Sequence, residues 1–599
     1  MTRLDILLSR ASGNVVTLPN MCKPNRTALI SDEGHLDARI VVLGASSDFE
    51  GRPGQKLRNH MRLAGIHPDK CHFLTVQPME GDSIEKLHTS SLRGCEEKVL
   101  ERLRACDKAI VVVCIGNAAL ETCTGLRDIT RRRGSVYEWE GKKVIGMIPP
   151  SVILHNRGGG GRYFEKMSRI DWERVKLLST PHETHHQYCG CARKIERQHL
   201  LPSSHTDHGT YSYNLIRYME MSQNPQKVLA IDIETPKIQG KRQIFCVSFA
   251  FNAEESLVIP WGEMYGLFIK QLCESPCIKV GHNFVSFDRW WLKREGIEVS
   301  GEIRDTMCLS HCLDPASPHS LEFLTSRFTF EPFYKSESKG HDENIILKDD
   351  ESKAAYYRYC GLDSCCTIEL CNLLWAELEQ RGLLSFYRKH YEALYDPILN
   401  VMSQGVEIDH SYRIDMLEAL LTEARQARDR LGEINGTPLF TLGLKRDQDV
   451  YNALENKRDA TLTSLEEKYG VDAIQTSVDR ISAKTVSSAQ LKTLLYDKLG
   501  LPLQTRRRKG SAETPTADAV ALRRLRLQYA EKPDVAEVLD LAMQHNSVQK
   551  LATFFYPNRY DPVDGRFRFT IKLNTEAARF ESAAAPDGIG GNSQNVSRD

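Results

Sequence analysis

Four acidic residues set in apolar surroundings constrain this chain more than any other feature. They are Asp232 and Glu234 in VLAIDIETP, Asp288 in GHNFVSFD and Asp363 in YCGLD, with Tyr359 one helical turn before the last. A carboxylate withdrawn from water is costly unless a positive charge lies beside it, and hard divalent cations such as Mg²⁺ or Mn²⁺ are the usual compensation. Asp232 and Glu234 are two apart in a run of strand composition, so both side chains share one face and can share one ion. Asp288 follows the strand-like CIKVGHN through a turn at Asn283 and opens the helical stretch RWWLKREGI. Asp363 lies in the helical run ESKAAYYRYCGLDSCCTIELCNLLW, with Tyr359 on the same face. Two-metal hydrolysis of a phosphodiester needs carboxylates that hold two ions about 3.5–4 Å apart, one to make a hydroxide and one to stabilise the leaving oxygen. These residue types meet that need, and the segment reads as a nuclease that uses two Mg²⁺ or Mn²⁺ ions. Asp305 in RDTM reads as a structural acid after a strand.

The rest of the chain sets bounds on that reading. Its 599 residues are enough for about four ordinary domains. Apolar runs such as Ala109 to Gly116 are far short of the roughly 20 residues that span a bilayer, and MTRLDILLSR lacks the layout of a signal peptide. A cytoplasmic protein without membrane contact is expected. Seventeen unevenly spaced cysteines, several inside strand-like and helical runs, point to buried thiols rather than disulfides. Basic and acidic residues balance at 79 each, so nucleic acid must be held by local patches.

Pattern divides the chain after an N-terminal extension, residues 1–37. Residues 38–178 alternate apolar β-branched runs (ARIVVLGA, CHFLTVQP, KAIVVVCIG, KKVIGMIPP) with helical stretches, which predicts an α/β domain. Periodicity fades over 179–227, where His, Ser, Pro and Gly become frequent, and a linker is expected. Its His182, His185, His186, Cys189, Cys191, His199, His205 and His208 are too irregularly spaced to favour zinc. A second α/β domain follows over 228–382, and residues 383–599 are mainly helical until FRFTIKLN.

LAIDIETP, HNFVSFD, DTMCLSHCLDPASPHSLEFL and YCGLDSCCTIEL resemble the motifs of DnaQ-like 3′–5′ exonucleases of the DEDDy type, in particular the proofreading domains of family A DNA polymerases. The resemblance implies a ribonuclease H-like fold over 228–382. It implies a first metal on Asp232, Glu234 and Asp363, a second on Asp232 and Asp288, and a water positioned by Tyr359. Asn283 and Phe287 are then contacts to the terminal nucleotides of a single-stranded 3′ end. YEALYDPILNVMSQGVEID and SSAQLKTLLYDKLGLPLQ resemble the approach to, and the thumb of, a family A polymerase. In that setting Arg506, Arg507, Arg508 and Lys509 would face primer–template phosphates. DGRFRFTIKLNTEAARFES and GGNSQNV resemble the start of the palm, which makes Arg579, Asn592, Gln594 and Asn595 further DNA contacts, although Ala577 and Ala578 replace the expected Thr-Gly. No catalytic palm or fingers motif appears by Asp599, so the expectation is part of a split or truncated family A polymerase, preferably one completed by a separate polypeptide, with no nucleotide incorporation by this chain alone. A stand-alone DNA- or RNA-trimming exonuclease and a non-catalytic primer–template scaffold are the rival readings.

The first domain resembles the uracil-DNA glycosylase superfamily through ARIVVLGASSD, GRPGQKLRNHMRLAGI, CIGNAALE and IPPSVIL. It departs from that family where the reaction needs polar groups: Ala45 stands at the water-activating position, Val76 near the uracil-reading one and Pro149 at the His of the His-Pro-Ser motif. A binding role without base excision is expected. Arg127 and Arg131 to Arg133 are possible phosphate contacts or a solvated face, and Cys22 alone argues against an iron–sulfur cluster.

Overall fold

The computed structural model describes residues 29–77, 96–155, 159–180, 195–202, 208–238, 240–335, 349–455, 459–482, 484–507, 513–576 and 579–595. The chain forms two compact units, Met1–Tyr395 with Glu576–Ala578, and Asp396–Thr575 with Arg579–Asp599.

In the first unit, residues 29–180 build a six-stranded sheet in the order Leu29–Glu33, His72–Gln77, Ile40–Ala45, Val111–Ile115, Lys142–Met147, Val136–Trp139. The four inner strands are parallel and the two outer ones antiparallel. IVVLGA and VVVCI are continuous apolar runs because helices cover both faces of the sheet. Alternate residues of one strand enter opposite cores: Val42 joins Leu57, Val113 and Trp172, while Val41 joins Leu103, Val112 and Leu120. Ala45 pairs in register with Val76 at the carboxyl end of this sheet.

The second sheet runs Ile303–Asp305, Ile278–Gly281, Val228–Glu234, Cys246–Ala250, Glu255–Pro260, Gln198–Leu200. Val228–Glu234 lies at its centre, parallel to Ile278–Gly281 and antiparallel to Cys246–Ala250. The stretch expected as linker differs at its distal part. Gln198–Leu200 adds an edge strand parallel to Glu255–Leu257, and His208–Ser222 is a helix whose Tyr211 and Tyr218 are buried. Just before this edge strand, the Arg197 guanidinium is buried in ion pairs with Glu331 at 3.1 Å and Glu369 at 2.6 Å. His199 bonds the Ser256 hydroxyl through Nδ1 at 2.7 Å, while His182, His185, His186, Cys189, Cys191 and His205 lie outside the described residues.

The helix Asp350–Gln380 lies on this second sheet. Cys360 packs with Cys246 and Val258, and Gly361 sits so close to the strands that a Cβ there would stand 2.5 Å from the Ser256 hydroxyl and 2.7 Å from His199 Nδ1. Every described cysteine is free, and all but Cys312 are buried.

The second unit is mainly helical. His410–Asn435 and Pro533–Ala552 pack along each other, and Lys445–Glu455 and Val471–Ser482 frame a smaller core of Val450, Ile474 and Ile481. Two short hairpins complete it, Thr505–Arg507 with Glu513–Pro515 and Phe569–Lys572 with Glu581–Ala584. Among the described residues, no helix is long and apolar enough to cross a membrane.

Candidate active site

The central strand ends in the acidic pair. Ile231 and Ile233 turn into the core, and Asp232 and Glu234, both half-buried, point to the other face. The helix Asp350–Gln380 brings Asp363 to them, so that one carboxylate oxygen from each of Asp232, Glu234 and Asp363 lies within 4.8 Å of the others. Asp288, buried as the first residue of the helix Asp288–Arg294, accepts a hydrogen bond from the Ile233 amide at 2.9 Å. It therefore stands against the same strand, between the two acids of the pair.

Electrostatics confirm how unfavourable this gathering is without a cation. Burial, then repulsion from Asp363, Glu234 and Asp288, holds the Asp232 carboxyl well above the usual range. Burial and the charge of Asp363 push Glu234 up to about 7. Burial also raises Asp288, against the pull of the Ile233 amide. An all-oxygen set of buried acids is the donor chemistry that hard divalent ions take.

Side chains outside the predicted set complete the site. Lys335 forms an ion pair with Asp363 and donates to the Tyr359 hydroxyl at 2.7 Å. Burial disfavours its charge, but Asp363 and Tyr359 more than restore it. This ammonium offsets part of the negative charge gathered on Asp363, Asp232 and Glu234. Tyr334, itself buried, donates to Asp363 at 2.5 Å, and Tyr356 donates to Glu234 at 3.0 Å. Burial raises the Tyr359 phenol, so it stays protonated at neutral pH. Tyr356 was legible in principle, being three residues before Tyr359 on the same helical face. Tyr334 and Lys335 lie in irregular chain, where no periodicity marks them.

Asn283 takes a left-handed conformation with φ of 57°, and its amide donates to Asp305 at 3.0 Å. Asp305 also accepts from the amides of Val285 at 3.3 Å and Met307 at 2.9 Å, which makes it the structural acid that the sequence predicts. The side chains of Asn283 and Phe287 are half-buried at this turn.

The remaining sequence-predicted residues lie in the second unit. Arg506 is exposed and pairs with Asp518 at 3.3 Å. Arg508 and Lys509 lie outside the described residues, as does the side chain of Arg507. Arg579 is exposed, and its amide donates to the Thr575 hydroxyl at 3.0 Å. Asn592 accepts from the Ser582 hydroxyl at 2.5 Å and Gln594 donates to the Phe580 carbonyl at 2.8 Å, so both brace the hairpin. Asn595 lies in the turn Ser593–Asn595, its side chain outside the described residues. In the first domain, Arg127 pairs with Glu121 at 2.6 Å, Arg131 with Asp128 at 3.5 Å and Arg133 with buried Asp171, and Arg132 donates to the Phe333 carbonyl. These arginines have partners within the chain.

Comparison with known proteins agrees with this geometry. Residues 211–379 match the family model described as 3′–5′ exonuclease. The chain is similar to the DNA polymerase I of Synechocystis sp., 27% identical over 294 residues that make up 48% of this chain and 24% of that one. It is similar to the type-4 uracil-DNA glycosylase of Thermotoga maritima, 28% identical over 144 residues, 22% of this chain and 75% of the other. It also matches the DNA polymerase of Bacillus phage SP01, 26% identical over 132 residues, 20% of this chain and 14% of the phage protein. The chain thus spans about a quarter of the length of the first polymerase and less of the second. Residues 211–379 thus match a 3′–5′ exonuclease domain, in a chain similar to DNA polymerase I and to type-4 uracil-DNA glycosylase.

Proposed function

We propose that residues 228–382 hydrolyse DNA one nucleotide at a time from a single-stranded 3′ end. The observation that carries this reading is the convergence of Asp232, Glu234 and Asp363, with Asp288 alongside, inside the matched exonuclease segment. Asp232, Glu234 and Asp363 would hold one Mg²⁺ or Mn²⁺, and Asp232 with Asp288 a second. When bound, such ions supply a hydroxide at neutral pH and stabilise the leaving oxygen. The chain's own groups do the rest. Lys335 donates to the oxygen of Tyr359 and so fixes the phenol beside Asp363, where the hydroxyl would orient the attacking water. Tyr356 and Tyr334 fix the planes of Glu234 and Asp363, and the Ile233 amide fixes that of Asp288. Asn283 and Phe287, at the turn before Asp288, would meet the terminal nucleotides.

This nuclease would proofread, in the cytoplasm, for a family A polymerase whose palm and fingers lie outside residues 1–599. In that assembly Arg506 to Lys509, Arg579, Asn592, Gln594 and Asn595 would hold primer–template, and residues 38–178 would be a glycosylase-like domain that binds without excising bases. Incubating the full chain with 3′-labelled single-stranded DNA in Mg²⁺ tests the central claim. Mononucleotides should be released, and Asp232→Ala, which removes the ligand common to both ions, should lower the rate by a factor of at least about 10³. Full activity in that variant would refute the assignment.

A further inference from the structure

We propose that the N-terminal α/β domain positions the exonuclease site, Arg132 and Arg174 holding the segment Thr329–Lys335 so that Tyr334 and Lys335 meet Asp363 and Tyr359. This inference rests on the nuclease reading above and assigns to the first domain a role within it.

The connection runs through a few residues. The helix Leu321–Phe328 of the second domain ends against the first, where the buried Arg174 guanidinium donates to the carbonyls of Ser326 and Thr329. Phe330 then packs on the core formed by the first sheet, with Lys143 Nζ 5.2 Å and the Arg174 guanidinium carbon 5.8 Å from its ring centre. Three residues on, Arg132 Nη1 donates to the Phe333 carbonyl at 3.1 Å and its guanidinium lies over the Phe333 ring at 5.2 Å. The next two residues are Tyr334 and Lys335, whose polar atoms touch Asp363 and Tyr359. The Arg133–Asp171 pair, buried on both sides, ties the end of the short helix Ile129–Arg132 to the helix Gly159–Ser179 that carries Arg174. Both grips on the segment thus come from elements tied to each other by this ion pair.

The residues from Phe330 to Lys335 form neither helix nor strand, so they have no ladder of their own to fix their path. Arginine is suited to the task because its planar fork can satisfy carbonyl oxygens and lie on an aromatic face together. A carbonyl left without its donor at a partly buried site is unfavourable, so the segment has reason to follow these arginines. Contacts of this kind position a reactive group without touching substrate, and small displacements near a reacting centre carry large rate effects.

The experiment is a double-mutant cycle on the full chain, with Mn²⁺ binding titrated without DNA and hydrolysis of single-stranded DNA followed separately. Arg132→Met should shift Mn²⁺ affinity in the same direction as Lys335→Met, by about threefold or more, and should lower kcat about tenfold with KM for DNA unchanged. Arg132→Lys, which retains a donor for the Phe333 carbonyl, should return the Mn²⁺ affinity most of the way to the wild-type value. In the double variant the Arg132 change should add nothing to Lys335→Met. Phe330→Ala, which withdraws the ring from the first domain while leaving Arg132 in place, should give the same pattern and covers the case in which Arg132→Met folds poorly. Mn²⁺ affinity unchanged in both Arg132→Met and Phe330→Ala, or effects that simply add in the double variant, would overturn the proposal. A wild-type chain that binds Mn²⁺ but leaves DNA intact would instead remove the nuclease reading, and the binding cycle would still decide the coupling.

Discussion

Lys335 donates to the Tyr359 hydroxyl at 2.7 Å while pairing with Asp363, so one ammonium bridges the residue assigned to the attacking water and a residue assigned to the metal. It thereby acts as an internal counter-ion to acids that would otherwise repel one another. Lys335→Met should make the metal-free protein less stable, read as a lower melting temperature in chelator. The same change should tighten Mn²⁺ binding by about tenfold, because a divalent ion no longer meets a fixed positive charge. Weaker Mn²⁺ binding in this variant would contradict the counter-ion role.

Glu234 supplies a pH dependence. Its carboxyl is pushed from 4.5 up to about 7 by burial and by Asp363. Between those values the folded, metal-free protein holds a proton that the unfolded chain has lost. Stability in chelator is therefore greatest at the acid end of this window and falls as pH rises through about 7. Mn²⁺ affinity should run the other way, rising with pH through about 7, since the ion requires the ionised form. Melting curves and Mn²⁺ titrations across pH 5–8 would show both trends, and Glu234→Gln should reduce each, leaving the part carried by Asp232 and Asp288. A stability that climbs with pH in chelator would be inconsistent with a raised carboxyl.

Tyr359→Phe should lower kcat by a factor of about 10–10³, because it deletes the hydroxyl proposed to orient water, while Mn²⁺ affinity changes by less than about threefold. The carboxylates are untouched by this change, which is why binding and rate separate. A fall in Mn²⁺ affinity as large as that of Asp232→Ala would show that the hydroxyl is part of the ligand set.

The N-terminal domain should not release uracil from DNA. Base excision needs polar groups that read the base and stabilise the leaving anion, and Ala45, Val76 and Pro149 offer none through their side chains. The acid near that end of the sheet, Asp48, is buried and held up to about 7 by burial. Abasic sites formed by an exonuclease-dead chain, and lost on Asp48→Asn, would reveal a catalytic acid that motif comparison misses.

Much of this site was legible because regular elements announce themselves by period. The step of two between Asp232 and Glu234 gave one strand face, and the four-residue step from Tyr359 to Asp363 gave one helix face. The strand Gln198–Leu200 was hidden because three residues at a sheet edge are too few to show alternation. Lys335 was hidden for a different reason. Its role depends on a segment without repeat, held by Arg132 and Arg174 from more than a hundred residues away in sequence. The arginines of the first domain read equally as phosphate contacts or as a solvated face, because sequence records charge and not the carbonyl, ring or carboxylate that meets it.

Gly361 gives the arrangement its scale. With hydrogen where other residues carry carbon, the helix that bears Asp363 lies directly upon the Ser256 hydroxyl and His199. A methyl group at this point would act as a shim under the helix two residues from the carboxylate. The spacing between acids drawn from a strand and from a helix is thus gauged on the far side of that helix, at an edge of the sheet away from the acids themselves.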